Sequence, residues 1–416
     1  MSILLLYIDP ATGSMLFSVL LGAFITAGFF LRMLFIKLKT AIGGKSASSN
    51  AAGYNKYLIY SDDKRYWNSF KPILDEFEKR ELDVAFWTSS EDDPVFSQEY
   101  KHVHPEFIGA GNKAFVKLNA AEADVLLSTT PGLDVLQWKR SKEVGKYVHI
   151  FHAATSALTY RMFGLDFYDA VLTASDFQLA EMRMVEKKRK LPPKDAKVVG
   201  LTYFDVLAEK LKNADKPQNS NKVILLAPSW GKSGFLYKFG DKLIDALIDT
   251  GYEIVFRPHP QSFTADKEML DKVHAKYDEV KNFTWNTDND NFDILNRADL
   301  LISDFSGVVF DFSIIFGKPI MYTSVKDFDD SVYDSAWIKQ ELWKFKVLPT
   351  IGCEITEDSF ENIKTKIDET ISSNKYEQGI KAAREYAWKN QGHAAEAIVD
   401  YLTELNSTTG NMAEVM

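Results

Sequence analysis

Asp299-Leu300-Leu301-Ile302-Ser303-Asp304-Phe305-Ser306-Gly307-Val308-Val309-Phe310-Asp311-Phe312 reads as a buried strand, a turn and the start of a helix. Ser306 suits an N-cap, and the backbone N–H groups that follow would point beyond the strand end. Unpaired donors and the helix dipole at such a position favour phosphate, and Gly307 permits close approach. An ordinary Ser-capped helix would look the same. Asp304 is harder to place that way, because a carboxylate after a buried strand usually has a partner.

A second apolar run, Glu253-Ile254-Val255-Phe256, ends in Arg257-Pro258-His259-Pro260. The prolines stop the strand and hold the backbone around one histidine. Arg257 and His259 alternate to the same side, where a cation and an imidazole suit a diphosphate; a turn with an incidental histidine is the alternative. Tyr147-Val148-His149-Ile150-Phe151 leads to His152-Ala153-Ala154-Thr155. His152, at a strand end before small residues, is a candidate general base, although taken alone a buried, hydrogen-bonded histidine is the commoner reading; His149 lies within the strand and reads as a core histidine.

These strands belong to a longer alternation. Strand candidates are Tyr57–Tyr60, Val84–Thr88, Phe107–Ile108, Val125–Ser128, Tyr147–Phe151, Ala170–Thr173 and Val198–Val199. After the polar stretch Lys212–Asn221 come Val223–Ala227, Glu253–Arg257, Phe283–Trp285, Leu300–Ser303 and Pro319–Tyr322. Helical patterns such as Lys242–Asp249 and Phe292–Asn296 lie between. Strand–helix alternation predicts an α/β chain with two parallel, doubly wound domains, residues 54–215 and 216–375, facing across a cleft. Residues 376–405 read as closing helices and 406–416 as a disordered tail. In open parallel sheets ligands bind beyond the carboxyl ends of the strands, which is where the residues singled out above lie.

Residues 1–40 read as a membrane anchor. Met15 to Leu31 is apolar apart from Ser18 and Thr26, and with its flanks reaches roughly 20 residues, enough for a hydrocarbon core of about 30 Å. Arg32, Lys37, Lys39 and Lys45 follow it, so the positive-inside rule puts the bulk of the chain in the cytoplasm. A cleaved signal peptide would carry its charge on the other side. Residues 41–53 form a Gly/Ser-rich linker.

Composition narrows the function. The 416 residues are 46% hydrophobic and 26% charged, which supports a sizeable core. A net charge of −9 argues against nucleic acid as the main partner. A single cysteine, Cys353, excludes an intramolecular disulfide framework and a cysteine-based zinc site. Gly231-Lys232-Ser233 lacks the upstream glycine of a P-loop. Asp288-Asn289-Asp290-Asn291-Phe292-Asp293 lacks the glycine and glutamate of a calcium loop and reads as a solvated loop with a helix cap. His102 and His104 share a strand face without a third ligand, and Lys187-Lys188-Arg189-Lys190 reads as a solvated helix end or a contact to anionic lipid.

The segment from Asp293 to Asp311 resembles the signature of the CDP-glycerol glycerophosphotransferases of teichoic acid synthesis. Arg257-Pro258-His259-Pro260 is similar to their R-x-H-P element, and Ala227-Pro228-Ser229-Trp230 to their A-P-[ST]-[WF] element. His152 falls where that family has a histidine followed by Gly-Thr, here Ala-Ala-Thr, and Gly200 to Asp205 where it has G-x-P-R-x-D, here without the proline and arginine. Gly231-Lys232 stands where an arginine is often found. The resemblance implies a GT-B architecture of two Rossmann-like domains and a transferase, which the apolar run near the N-terminus would anchor to a membrane. Its donor would be CDP-glycerol or a related CDP-alditol. Its acceptor would be a hydroxyl of a cell-envelope glycan or lipid-linked polyol phosphate, with CMP as leaving group. His152 and His259 would be the catalytic pair. Arg257, Ser229, Lys232, Ser303, Asp304, Ser306, Gly307 and Asp311 would serve the donor and its phosphates. No cofactor is implied, and no carboxylate cluster suggests a metal. A GT-B glycosyltransferase using a nucleotide sugar is the alternative.

Overall fold

The computed structural model describes residues 54–324, 328–338 and 341–413, with side chains as far as residue 405. The anchor expected at 1–40 and the linker at 41–53 lie outside the described residues. Among the described residues no helix is long and apolar enough to cross a membrane.

Among the described residues thirteen strands form two parallel sheets. The first contains β1 (Tyr54–Ser61), β2 (Val84–Thr88), β3 (Val103–Phe107), β4 (Glu122–Ser128), β5 (Val144–Ile150), β6 (Ala170–Thr173) and β7 (Asp195–Val198), in the order β3-β2-β1-β4-β5-β6-β7. The second contains β8 (Val223–Ala227), β9 (Glu253–Phe256), β10 (Phe283–Trp285), β11 (Leu300–Ser303), β12 (Ile320–Thr323) and β13 (Gly352–Ile355), in the order β10-β9-β8-β11-β12-β13. Each order reverses direction once, between β1 and β4 and between β8 and β11, which is the doubly wound Rossmann-like pattern. Two such sheets in one chain make the architecture GT-B-like. Central strands such as Val84-Ala85-Phe86-Trp87-Thr88 and Val223-Ile224-Leu225-Leu226-Ala227 are buried throughout, because helices cover both faces.

The sequence pattern misplaces the edges. β3 runs from Val103 through Pro105 with only Val103 buried, and β7 is Asp-Ala-Lys-Val, so neither carries an apolar run. β13, Gly352-Cys353-Glu354-Ile355, was not anticipated for the same reason. The expected closing stretch is two helices, Glu377–Ala387 and Ala394–Ala413. They are broken where Asn390 and Gly392 take positive φ. The second runs past the expected end at 405, since an established helix gains a hydrogen bond for each residue it adds. The tail read as disordered from Asn406 is therefore helical backbone as far as Ala413.

The final helix returns to the first domain, where Ile398, Val399 and Leu402 join the core containing Ile59, Leu127 and Val148. A further core is shared: Phe177, Phe204 and Leu207 pack with Val223, Leu301, Phe310 and Phe312. Asp205 secures the crossing. Its carboxylate accepts the Trp388 indole N–H at 2.8 Å and the amides of Gly392 at 2.8 Å and Ala394 at 3.1 Å. Gly200 starts this junction with φ +94, and a Cβ there would stand 2.4 Å from the Lys389 carbonyl oxygen. Gly132 has a similar φ of +90 but open space around it. G200A should therefore cost about 1–3 kcal/mol in chemical denaturation and G132A distinctly less, because only the first adds a backbone clash to the strained φ.

Candidate active site

Where a doubly wound sheet reverses its order, the loops leaving the adjacent strands diverge and open a crevice. Here both crevices contribute to one cavity of about 350 Å³. The first domain supplies Arg65 and Tyr66 after β1 and His152, Ala153 and Thr155 after β5. The second supplies Ala227 and Pro228 after β8, Arg257 to Pro260 after β9, and Ser306 to Val308 with Asp311 after β11. The cleft thus brings together His152, Arg257, His259, Ser306, Gly307 and Asp311.

His152 is half-buried and held from two sides. Its Nδ1 lies 2.8 Å from Thr129 Oγ1 at the end of β4, and the Tyr66 ring packs against it, tilted, at a centroid distance of 4.6 Å. Burial, reinforced by the Arg65 charge, lowers its pKa to about 4. His259 is lowered to about 4 by the same two causes, opposed by Asp266. The His259 Nδ1 accepts the Gln261 amide at 3.1 Å, so in the neutral ring Nε2 carries the proton. Arg257 is held by the Asn286 side-chain oxygen through Nη1 and by the Asp288 carbonyl through Nη2 at 2.8 Å. Its guanidinium is thereby fixed by neutral oxygens rather than a carboxylate.

The turn after β11 divides into two functions. Ser303 Oγ donates to the Ala227 carbonyl at 2.6 Å, stitching β11 to β8. Asp304 is fully buried and accepts the amides of Ser229 at 3.1 Å and Phe235 at 3.1 Å, clamping the loop after β8. Ser229, Ser303 and Asp304 therefore face the protein interior, and Lys232 is exposed outside the cleft lining. Ser306 is not the N-cap that the pattern suggests. Gly307 precedes the first helical residue, Val308, and no side chain caps the turn. Among the described residues, the amides of Ser306, Gly307 and Val308 donate to no protein acceptor. After Phe310 the helix widens into a π turn over Asp311–Ile315, a rare form common at functional sites. Asp311 opens it with its carboxyl toward the cleft. Its Oδ1 has no partner among the described residues, and burial raises its pKa to about 7, eased by Tyr203.

Several contributors escaped the sequence reading. Arg65, Tyr66 and Thr129 sit in polar turns with no motif of their own, and only the sheet order reveals that they flank a switch point. The loop 288–291 carries the helix cap expected of it, but its place in the cleft lining was not anticipated. Asp290 caps the following helix through the Phe292 amide at 2.9 Å and pairs with Lys210, while Asn291 accepts from Tyr203 at 2.9 Å. His149 is a core histidine as expected, fully buried, with Nε2 3.2 Å from Tyr160 Oη and a pKa lowered by burial to about 3. His102 and His104 share the Asp83 carboxylate, each at 3.2 Å. Among the described residues no group of three or more His, Cys, Asp or Glu side chains could hold a metal ion. An apolar cavity of about 380 Å³, lined by Phe115, Leu136 and Met162, shares no residue with the cleft.

A family model described as CDP-Glycerol:Poly(glycerophosphate) glycerophosphotransferase matches residues 55–403. No curated protein matches in sequence. Among solved structures, the chain is similar to the UDP-GlcNAc 2-epimerase of Methanocaldococcus jannaschii in complex with UDP-GlcNAc and UDP, at 14% identity over 84% of this chain and 99% of that one, TM-score 0.55. The UDP-GlcNAc 2-epimerase of Neisseria meningitidis bound to UDP-GlcNAc matches at 14% identity over 85% and 100%, TM-score 0.52. The S. aureus MnaA–UDP complex matches at 16% over 84% and 96%, TM-score 0.54. At these identities the likeness shows the fold.

Asp311 offers a direct test of the cleft's electrostatics. A carboxyl whose pKa rises on folding binds more protons folded than unfolded, so it lowers stability as pH climbs from about 4 to about 7. D311N removes that penalty. Its Tm should match the wild type near pH 4 and exceed it by roughly 2 °C or more at pH 8. A difference independent of pH would show that Asp311 is not the buried acid described.

Proposed function

Because the chain belongs to the CDP-glycerol:poly(glycerophosphate) glycerophosphotransferase family, we propose that this cleft transfers glycerol phosphate from CDP-glycerol to a hydroxyl of a poly(glycerophosphate)-type acceptor. The observation that carries this reading is the opposition of His152, oriented by Thr129, to Arg257, His259 and the unpaired amides of Ser306 to Val308 within one cavity.

The step balances as follows. The acceptor oxygen bonds to the phosphorus that carries glycerol, the bond from that phosphorus to the bridging oxygen breaks, and CMP leaves. The hydroxyl proton passes to His152. With Nδ1–H donated to Thr129 Oγ1, Nε2 presents the lone pair that takes it. Arg257 supplies positive charge to the diphosphate. His259, neutral in the empty cleft, supplies an Nε2–H donor, and the amides after β11 cradle the phosphoryl oxygens. Such transfer is positioning plus charge stabilisation. A pKa of about 4 keeps His152 deprotonated, although it makes a weak base. A bound diphosphate adds negative charge nearby and raises that pKa toward the working pH.

The sequence supports a location as well. The apolar run Met15–Leu31, followed by Arg32, Lys37 and Lys39, is proposed to anchor the chain once in the cell membrane with the cleft on the cytoplasmic side. Full-length protein should stay in the membrane fraction after an alkaline wash and a form lacking residues 1–40 should not; equal partitioning of both would overturn the anchor.

Given CDP-glycerol and a poly(glycerophosphate) acceptor, the protein should release CMP as the acceptor lengthens. UDP release from a UDP-sugar, with CDP-glycerol inert, would instead indicate a glycosyltransferase. H152A should lower kcat by about 10²-fold or more, and kcat/KM for the wild type should keep its acid limb near pH 4 rather than 6.5. T129V should lower kcat by roughly tenfold or more, because a misoriented base loses part of what a positioned one contributes. T129S, which keeps the hydroxyl, should stay near wild type.

A further inference from the structure

Arg65 is the cation on the first domain's wall of the cleft. It follows β1 at the first switch point, in the short helical turn Lys64–Tyr66. Asp63 Oδ1 accepts its backbone N–H at 2.9 Å and stands 2.9 Å from its Nε. One carboxylate oxygen therefore fixes the root of the side chain. Among the described residues neither terminal nitrogen of Arg65 has an acceptor, whereas both terminal nitrogens of Arg257 are engaged by protein oxygens. The adjacent residue, Tyr66, packs its ring against His152. Arg65 lines the same cavity as His152 and His259, and its charge acts on both.

A guanidinium fork anchored at Nε with free ends is suited to two parallel hydrogen bonds from a phosphate or carboxylate. The donor diphosphate has its own receptors on the opposite wall. An anion at Arg65 would instead lie beside the hydroxyl that His152 deprotonates, and on an acceptor of the polyol phosphate class that anion is the phosphodiester one unit back from the chain end. We propose that Arg65 is an acceptor phosphodiester subsite, which positions the terminal hydroxyl at His152 and makes the enzyme prefer an acceptor that already carries a polyol phosphate. The proposal rests on the glycerophosphotransferase reading of the cleft. It adds a requirement on the acceptor: a neutral glycan end would leave the fork unpaired in a partly dehydrated cleft.

The test uses the full chain and a synthetic glycerol phosphate oligomer as probe. Calorimetric binding of the oligomer should weaken about tenfold or more in R65Q and be partly restored in R65K, since a charge-assisted bidentate contact is lost in one and made singly in the other. In turnover the rise should fall on the oligomer KM, with the CDP-glycerol KM within about twofold. Removing the cation should also move the acid limb of kcat/KM upward. Among the described residues the other recorded partners of His152 are Tyr66 after β1, Thr129 after β4 and His149 on β5, and R65Q leaves them in place. Unchanged oligomer binding in R65Q, no oligomer binding by the wild type, or a rise confined to the donor KM would each overturn the proposal. The two readings separate cleanly: Arg65-dependent oligomer binding without CMP release from CDP-glycerol would sink the donor assignment and keep the subsite.

Discussion

The carboxylate of Asp205 receives an indole N–H and two amides from the segment that leads into the last helix, and this junction decides where the two sheets stand. Each doubly wound sheet makes a crevice by itself, but half a crevice holds few of the groups that phosphoryl transfer needs. The chain builds the second sheet and then returns to pack its final helix on the first. The crossing keeps the switch point between β1 and β4 opposed to that between β8 and β11. Gly200, with a carbonyl oxygen where a Cβ would be, keeps the segments at that crossing in contact.

The cleft that results is partly dehydrated, and its ionisable groups respond in the directions burial dictates. His152 and His259 are pushed toward the neutral form and Asp311 toward the protonated form. Two arginines keep their charge because guanidinium does not deprotonate in proteins. The empty site therefore holds fixed positive charge on both walls, which favours an anionic donor and an anionic acceptor over neutral ones.

The signature around β11 shows how motif and site diverge. Ser303 and Asp304 look like ligand residues because they end a buried strand, yet one ties β11 to β8 and the other holds the loop after β8. They shape the wall while Ser306, Gly307 and Asp311 line it. The apparent N-cap failed because the helix begins one residue later and then widens into a π turn, and capping statistics carry no information about a change of helical pitch.

Runs such as Val-Ile-Leu-Leu-Ala in β8, short and set between helical patterns, read as strands buried on both faces, so the class, the alternation and the positions of His152, Arg257 and His259 at strand ends were legible in the chain alone. The edges β3, β7 and β13 were not, because residues half exposed to solvent carry no apolar signature. Tertiary structure alone decided that Thr129 would lie beside His152, that Arg65 would share a cavity with two histidines, and that Asp304 would face inward. Each of these depends on which strand lies beside which and on the crossing at Asp205. Such neighbours are set by packing between segments far apart in the chain, and no local pattern encodes them.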